Sequence, residues 1–149
     1  MASKAQMTGM LGVYLTAVEL IKLGFIVSPT SRSAMGADLL VTDQHCRKSW
    51  SIQVKTNAST AKFWLMAKHA KEMASSSHVY VFVSVPKNAK RQPAFYVVPS
   101  KTVAESIRTS RPTKTRKATW YSWFRDDEQY KDRWQIFGNP LGELPARAA

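Results

Sequence analysis

Apolar and polar positions recur along the chain with two different periods, which predict helices and strands in turn. Between Thr8 and Leu23, an apolar stripe recurs every three or four residues, and Gly24 follows where helices commonly end in a left-handed residue. The segment is therefore predicted to be an amphipathic helix. The stripe consists of Leu11, Tyr14, Leu15, Val18 and Ile21. Short apolar runs after it predict strands over 25–27, 37–42 and 49–55.

The second half of the chain continues the alternation of helices and strands. Residues 61–74 have a helical pattern, and the nearly continuous apolar run 78–85 is typical of a strand that is buried on both faces. The pattern then predicts a strand over 94–98, a helix over 101–108, an exposed loop over 109–118 and a helix over 126–134. This order predicts one α/β domain over residues 1–149, with a mixed central sheet flanked by helices.

The charge of the chain is strongly positive and unevenly distributed. Lys and Arg number 22 against 10 Asp and Glu, which gives a net charge of +12 and a pI near 10.1. Residues 87–117 alone hold nine basic residues and one acidic residue. Because most of these basic residues are predicted to lie in loops, they favour DNA over a membrane surface as the partner. The candidate phosphate contacts are Arg32, Ser33, Lys87, Lys90, Arg91, Arg111, Lys114, Arg116 and Lys117.

Cysteine usage and the apolar segment near the start exclude several classes of protein. Cys46 is the single cysteine, which rules out a disulfide framework within the chain and a zinc site built from thiolates. A reducing, cytoplasmic compartment is therefore expected. The early apolar segment contains Glu19 and Lys22, and these charges interrupt it too strongly for a membrane span.

Three polar side chains are predicted to converge at one edge of the sheet. A hairpin turn centred between His45 and Cys46 places Asp38 opposite Gln53, because the two positions are equidistant from it. Alternation along the strand then places Lys55 on the same face as Gln53. A helix packed beside this strand would also bring Glu19 close. A charge inside an apolar segment is costly unless it is paired or coordinated.

An acid, a second oxygen donor and a lysine suit Mg²⁺-dependent hydrolysis of a phosphodiester. Magnesium prefers hard oxygen ligands, which the Asp38 carboxylate, the Gln53 amide and the Val54 carbonyl supply. Mn²⁺ is an alternative cation. Lys55 is positioned to orient the attacking water or to stabilise negative charge on the phosphate.

At these residues the sequence resembles the PD-(D/E)XK nuclease superfamily, particularly its branches like Holliday junction resolvases and restriction endonucleases. The match comprises Glu19, Asp38 and Gln53-Val54-Lys55, and it covers about residues 8–98. The resemblance implies an αβββαβ core, here followed by a predicted helical extension over 99–137. It also implies a Mg²⁺-dependent DNA endonuclease in which these residues, with the Val54 carbonyl, form the catalytic and metal site. Gln53 occupies a position where an acid is usual.

Other functions remain open at this point. Asp38 and Lys55 also suit a structural ion pair, and Gln53 suits a nucleic-acid-binding module that has lost catalysis. A third alternative is an interaction subunit that forms a homodimer through aromatic residues near the C-terminus, namely Trp120, Trp123 and Phe124. Metal-dependent cleavage separates a nuclease from a binding module that has lost catalysis, and salt-dependent DNA binding separates both from an interaction subunit.

Overall fold

The computed structural model describes residues 1–31, 35–58, 61–88, 90–125 and 128–142. Arg32 and Ser33, two of the candidate phosphate contacts, lie outside these ranges. The α-helices of the described residues are α1 (Lys4–Lys22) and α2 (Ser100–Ser106). The strands are β1 (Ile26–Pro29), β2 (Leu39–Thr42), β3 (Ser49–Asn57), β4 (Phe63–Met66), β5 (His78–Ser84), β6 (Ala94–Pro99), β7 (Arg108–Ser110) and β8 (Trp120–Phe124). Short 3-10 turns lie at Lys68–Lys71, Glu128–Tyr130 and Trp134–Phe137.

The main sheet has five strands in the order β1-β2-β3-β5-β6. Strands β3 and β5 are parallel, and the other neighbours are antiparallel. Helix α1 packs on one face, where Leu20, Ile52 and Val81 are completely buried. The predicted α/β class with a mixed central sheet is therefore confirmed.

The β2–β3 hairpin has the predicted register, with Leu39 opposite Ile52. Its turn is held by the Asp43 carboxylate, which accepts backbone hydrogen bonds from His45, Arg47 and Lys48, each at 3.0 Å. These bonds, led by the one from Arg47, lower the pKa of Asp43.

The helix predicted over 61–74 is wrong. Most of this segment is strand β4 and the 3-10 turn at Lys68–Lys71. In β4 the buried side chains of Trp64 and Met66 flank the exposed Leu65, which is a strand period. The strand is stabilised by pairing with β8 from the end of the chain, and this long-range partner overrides the local helical pattern.

The predicted helical extension is only partly correct, because α2 lies where expected but β7 and β8 form strands. Strands β4, β8 and β7 make a second sheet, in that order. Trp123 stacks on Phe82 of the main sheet with ring centroids 4.1 Å apart, so the aromatic residues of β8 close a second core. Within the described part of 126–134, a 3-10 turn at Glu128–Tyr130 replaces the predicted helix.

Helix α1 packs on the sheet through small residues and turns its apolar stripe outward. Gly12 lies so close to β3 that a Cβ atom there would be 1.8 Å from the Thr56 hydroxyl oxygen. Thr16 and Leu20 are also buried on this side, whereas Leu11, Tyr14, Val18 and Ile21 of the stripe are about half exposed. The helix begins at Lys4 rather than Thr8, because Ser3 and Gln6 form a reciprocal capping box.

Candidate active site

Asp38 and Gln53 meet at the rim of the main sheet, as their equal distance from the hairpin turn predicts. The ladder between β2 and β3 extends to the Asp38 N–H, which donates to the Ile52 carbonyl at 2.7 Å. Beyond it, β3 continues without a β2 partner. There the Asp38 carboxylate accepts the hydrogen bond that a β2 carbonyl would otherwise accept. Its Oδ2 accepts from the Val54 N–H at 2.7 Å and from the Gln53 amide nitrogen at 2.5 Å.

Lys55 lies on the same face of β3 as Gln53, and its side chain is half buried. Burial lowers the pKa of Lys55, and the negative charge of Asp38 opposes this shift. The lysine is therefore an ammonium group that is partly removed from water and lies within the electrostatic reach of the carboxylate. The structure thus brings three of the four predicted catalytic residues together.

Two cavities open at this rim. One, of about 450 Å³, lies between α1 and the sheet and is lined by Asp38, Val54 and Tyr14, among others. The other, of about 560 Å³, is lined by Lys55, by Lys4 and Thr8 from the start of α1, and by residues of β4. The candidate site therefore borders an open cavity on each side of β3.

The donor atoms at the rim fit a hard divalent cation. The N–H and C=O groups of one strand residue point to the same side, so the Val54 carbonyl lies on the Asp38 side of β3. The Gln53 amide presents its nitrogen to Asp38, and a half-turn of the amide would present its oxygen instead. Within the described residues, no group of three or more His, Cys, Asp or Glu side chains that could hold a metal ion is present, at the rim or elsewhere. The donor set is one carboxylate with neutral oxygens, which suits Mg²⁺ that retains several waters.

Glu19 is not brought to this rim. Its carboxylate pairs with Lys22 at 3.1 Å, and it lines neither cavity. The α1 residues beside Asp38 include Met10, and Glu19 lies nine residues further along the helix, about 13 Å along its axis. The α1 positions that line the cavity are uncharged: Gln6, Gly9, Met10, Val13 and Tyr14.

The predicted basic surface divides into two parts. Lys87, Lys90 and Arg91 are exposed in the loop after β5, which leaves the sheet where the Val85 N–H donates to the Asn57 carbonyl at 2.8 Å. Asn57 is two residues beyond Lys55. This loop therefore lies at the same end of the sheet as the candidate site.

The second part lies far from the rim, in the loop between β7 and β8 that holds Arg111, Lys114, Arg116 and Lys117. Strand β8 begins at Trp120 beside this loop and reaches the rim about 13 Å further along, where Phe124 pairs with Phe63 of β4. The Arg116 guanidinium donates to the Arg111 carbonyl at 2.8 Å and stacks over the Trp120 ring at 4.5 Å. Part of this basic loop is therefore fixed internally.

Sequence reasoning missed three basic residues close to the rim, namely Lys4, Lys62 and Arg125. Lys4 lines the larger cavity beside Lys55. The Arg125 N–H donates to the Lys62 carbonyl at 2.9 Å, which joins β4 and β8 next to this cavity. No local pattern marks these residues, because the packing of α1 places Lys4 at the cavity and the pairing of two distant strands joins Lys62 to Arg125.

Two partners considered from the sequence, a membrane and a second copy bound through the C-terminal aromatic residues, can be compared with the described residues. No described helix combines the length and apolarity needed to cross a bilayer. Of the aromatic residues near the C-terminus, Trp123 is 3% exposed and closes a core, whereas Trp120 is 40% exposed.

Comparison with known proteins establishes the fold. No protein-family profile and no curated protein matches the chain. Among solved structures, it is similar to the bacterial homing endonuclease I-Ssp6803I, with a TM-score of 0.54, 14% identity and 91% coverage of both chains. It is also similar to the Holliday junction resolvase Hjc of Archaeoglobus fulgidus, with a TM-score of 0.48, 14% identity, and coverage of 78% of this chain and 84% of that one. The likeness to the homing endonuclease shows that the chain has the restriction-endonuclease-like fold that its sequence resemblance implies.

Proposed function

We propose that this protein is a Mg²⁺-dependent DNA endonuclease with its active centre at Asp38, Gln53 and Lys55. The observation that carries the proposal is the position of these three residues, which share one rim of a nuclease-type fold with oxygen donors and a partly desolvated ammonium group. The net charge of +12 supports a polyanionic substrate. Fold likeness alone would not assign an activity.

Each residue has a distinct role in this proposal. The Asp38 carboxylate, fixed by the Val54 N–H, and the Val54 carbonyl would hold the cation, and the Gln53 amide would add its oxygen after a half-turn. When bound, Mg²⁺ or Mn²⁺ supplies polarisation of a phosphate oxygen and a more acidic water. Lys55 stabilises negative charge on the phosphate, and its partial burial strengthens that interaction because water screens it less.

The loop after β5, with Lys4 and Lys62, provides positive charge beside this centre for the DNA backbone. The Arg125 guanidinium donates instead to the Tyr96 hydroxyl at 3.2 Å. Phosphate contacts of this kind give affinity without sequence information. Whether the preferred substrate is linear or branched is decided by the shape of the surface around the rim, so the test includes both.

The test is a cleavage time course on linear and branched DNA with Mg²⁺, Mn²⁺ or EDTA, run beside a DNA-binding titration. We expect Asp38→Ala to abolish cleavage and to leave binding equal or stronger, because it removes a charge that repels phosphate. Lys55→Ala should slow cleavage by roughly 10²–10³-fold. Glu105→Ala, which removes an exposed carboxylate on α2, is the matched control and should cleave like wild type. Wild-type rates for both Asp38→Ala and Lys55→Ala would refute the site.

Gln53 favours one alternative, a nucleic-acid-binding module without catalysis on the same fold. A neutral amide attracts Mg²⁺ less than a carboxylate does. The alternative is the better account if wild type and Gln53→Glu both bind DNA with a steep salt dependence and neither cleaves it.

A further inference from the structure

The apolar stripe that faces outward on α1 is a surface without a partner within the described residues. It consists of Met7, Leu11, Tyr14, Val18 and Ile21, which are 46–57% exposed, and this set is called the α1 stripe below. It runs for about 21 Å along the helix. We infer that the α1 stripe binds the α1 stripe of a second copy of this chain, which makes the protein a homodimer through its first helix.

The spacing of the α1 stripe is that of a helix pair. Its residues follow one another at intervals of four, three, four and three, which is a 3.5-residue repeat over two heptads. This repeat keeps one seam of a helix against a second helix. The opposite side of α1 is already occupied, because Gly12, Thr16 and Leu20 are buried against the sheet. The stripe therefore has the geometry for a second helix, which would lie beside the Asp38 cavity at Tyr14, and not for the sheet of its own chain.

Charge argues for a second copy over nucleic acid or an anionic membrane. Residues 5–21 contain no Lys or Arg, although the chain as a whole carries +12. Glu19, the one acid among them, pairs with Lys22. Phosphate or anionic lipid is held by basic residues beside the apolar surface, whereas here Lys4 and Lys22 lie only at the two ends of the stripe. Between these ends, a second copy brings no basic residue of its own stripe against another.

The size of the α1 stripe fits the centre of a dimer interface. Its five half-exposed side chains present on the order of 500 Å² per copy, against about 800 Å² per partner in an interface of standard size. An exposed apolar patch of this size is at the upper end of what single-copy soluble proteins show, which is about 300–600 Å². Polar side chains that flank the stripe would complete the remaining area.

Sedimentation velocity without DNA tests the inference independently of any nuclease activity. We expect wild type to be a dimer at micromolar concentration, with an affinity that is unchanged or stronger at high salt, because salt screens the repulsion between two +12 chains. Leu11→Glu and Val18→Glu should each weaken the dimer roughly 100-fold, since each would bury an unpaired carboxylate. Leu40→Glu is the matched control, as Leu40 is 53% exposed on the main sheet, and it should leave the dimer intact.

A cross-linking experiment keeps the inference testable if a glutamate variant does not fold. Tyr14 is the midpoint of the α1 stripe, so it meets its own counterpart whether the two helices run parallel or antiparallel. In a Cys46→Ser background, Tyr14→Cys should therefore form a disulfide-linked dimer on mild oxidation, and Met35→Cys, at an exposed position outside α1, should not. A wild-type monomer at 100 µM, equal loss of the dimer in Leu40→Glu, or no cross-link at position 14 would each overturn the inference.

Discussion

Replacing Gln53 by glutamate would place a second carboxylate against Asp38 at the rim of the sheet. The wild-type contact is a 2.5 Å hydrogen bond from the Gln53 amide nitrogen to Asp38 Oδ2. A hydrogen bond to a charged group contributes about 1.5–3 kcal/mol, and at this chain length that corresponds to roughly 3–12 °C in Tm. Repulsion between the two carboxylates adds to the loss. In EDTA at neutral pH, Gln53→Glu should therefore melt below wild type by at least this amount.

The same substitution should make the fold respond to Mg²⁺. A cation that binds only the folded state at 100 times its Kd stabilises it by about 2.7 kcal/mol, so excess Mg²⁺ should recover much of the lost Tm. Cleavage should rise as well, because a carboxylate attracts the cation more strongly than an amide.

The stability deficit of Gln53→Glu should also depend on pH. Mutual repulsion raises one carboxyl pKa of the pair in the folded state. The penalty is therefore absent below the ordinary carboxyl pKa, near pH 4, and develops as pH rises through the raised value. Wild type and variant should accordingly approach the same Tm in acid.

Two control variants separate charge from the lost hydrogen bond. Gln53→Met removes the donor without adding charge and should gain nothing from Mg²⁺. Asp38→Asn combined with Gln53→Glu restores one amide and one carboxylate and should recover stability in EDTA. The measurement is thermal denaturation followed by circular dichroism in EDTA and in Mg²⁺. If Gln53→Glu melts with wild type in EDTA, or if Mg²⁺ raises both Tm values equally, the geometry drawn for this site is wrong.

Three further predictions follow from the structure. Lys55→Met should impair cleavage and raise Tm at neutral pH by roughly 2–4 °C. The reason is that the partly buried ammonium destabilises the folded state until pH rises through its lowered pKa. An unchanged Tm would show that burial is not what lowers the pKa of this lysine. His78 is buried, its Nδ1 lies 2.7 Å from the Ser51 hydroxyl oxygen, and burial lowers its pKa. The unfolded chain therefore binds the proton first, stability should fall as pH drops below about 6.5, and His78→Gln should flatten that slope in a series of melts. DNA titrations should distinguish two triple-alanine variants of equal charge, one in the loop after β5 and one between β7 and β8. The first should weaken binding more, and equal effects would place the DNA elsewhere. The positions are Lys87, Lys90 and Arg91 in the first variant, and Arg111, Lys114 and Lys117 in the second.

Local sequence determined the centre of the candidate site. The pairing of Asp38 with Gln53 depends only on a short hairpin, whose turn is fixed by hydrogen bonds to Asp43 within five residues. Alternation along β3 then assigns Lys55 to the same face. Both steps use contacts between residues close in sequence, where spacing and geometry are tightly coupled. Strands β2, β3, β5 and β6 were predictable for a different reason: most of their apolar positions are buried wherever the partner strand comes from.

Tertiary structure decided the elements and residues whose environment comes from distant parts of the chain. Residues 63–66 form a strand because β8, more than fifty residues later, pairs with them. Glu19 lies away from the rim because it is nine residues beyond Met10, the α1 residue beside Asp38. The close approach of Gly12 to β3 decides which side of α1 is buried, since that side is chosen by how closely two backbones can approach and not by apolar spacing alone. That choice leaves the apolar stripe outside. A local pattern can specify a helix and its stripe, but only the shape of the opposing surface determines which side of that helix is buried.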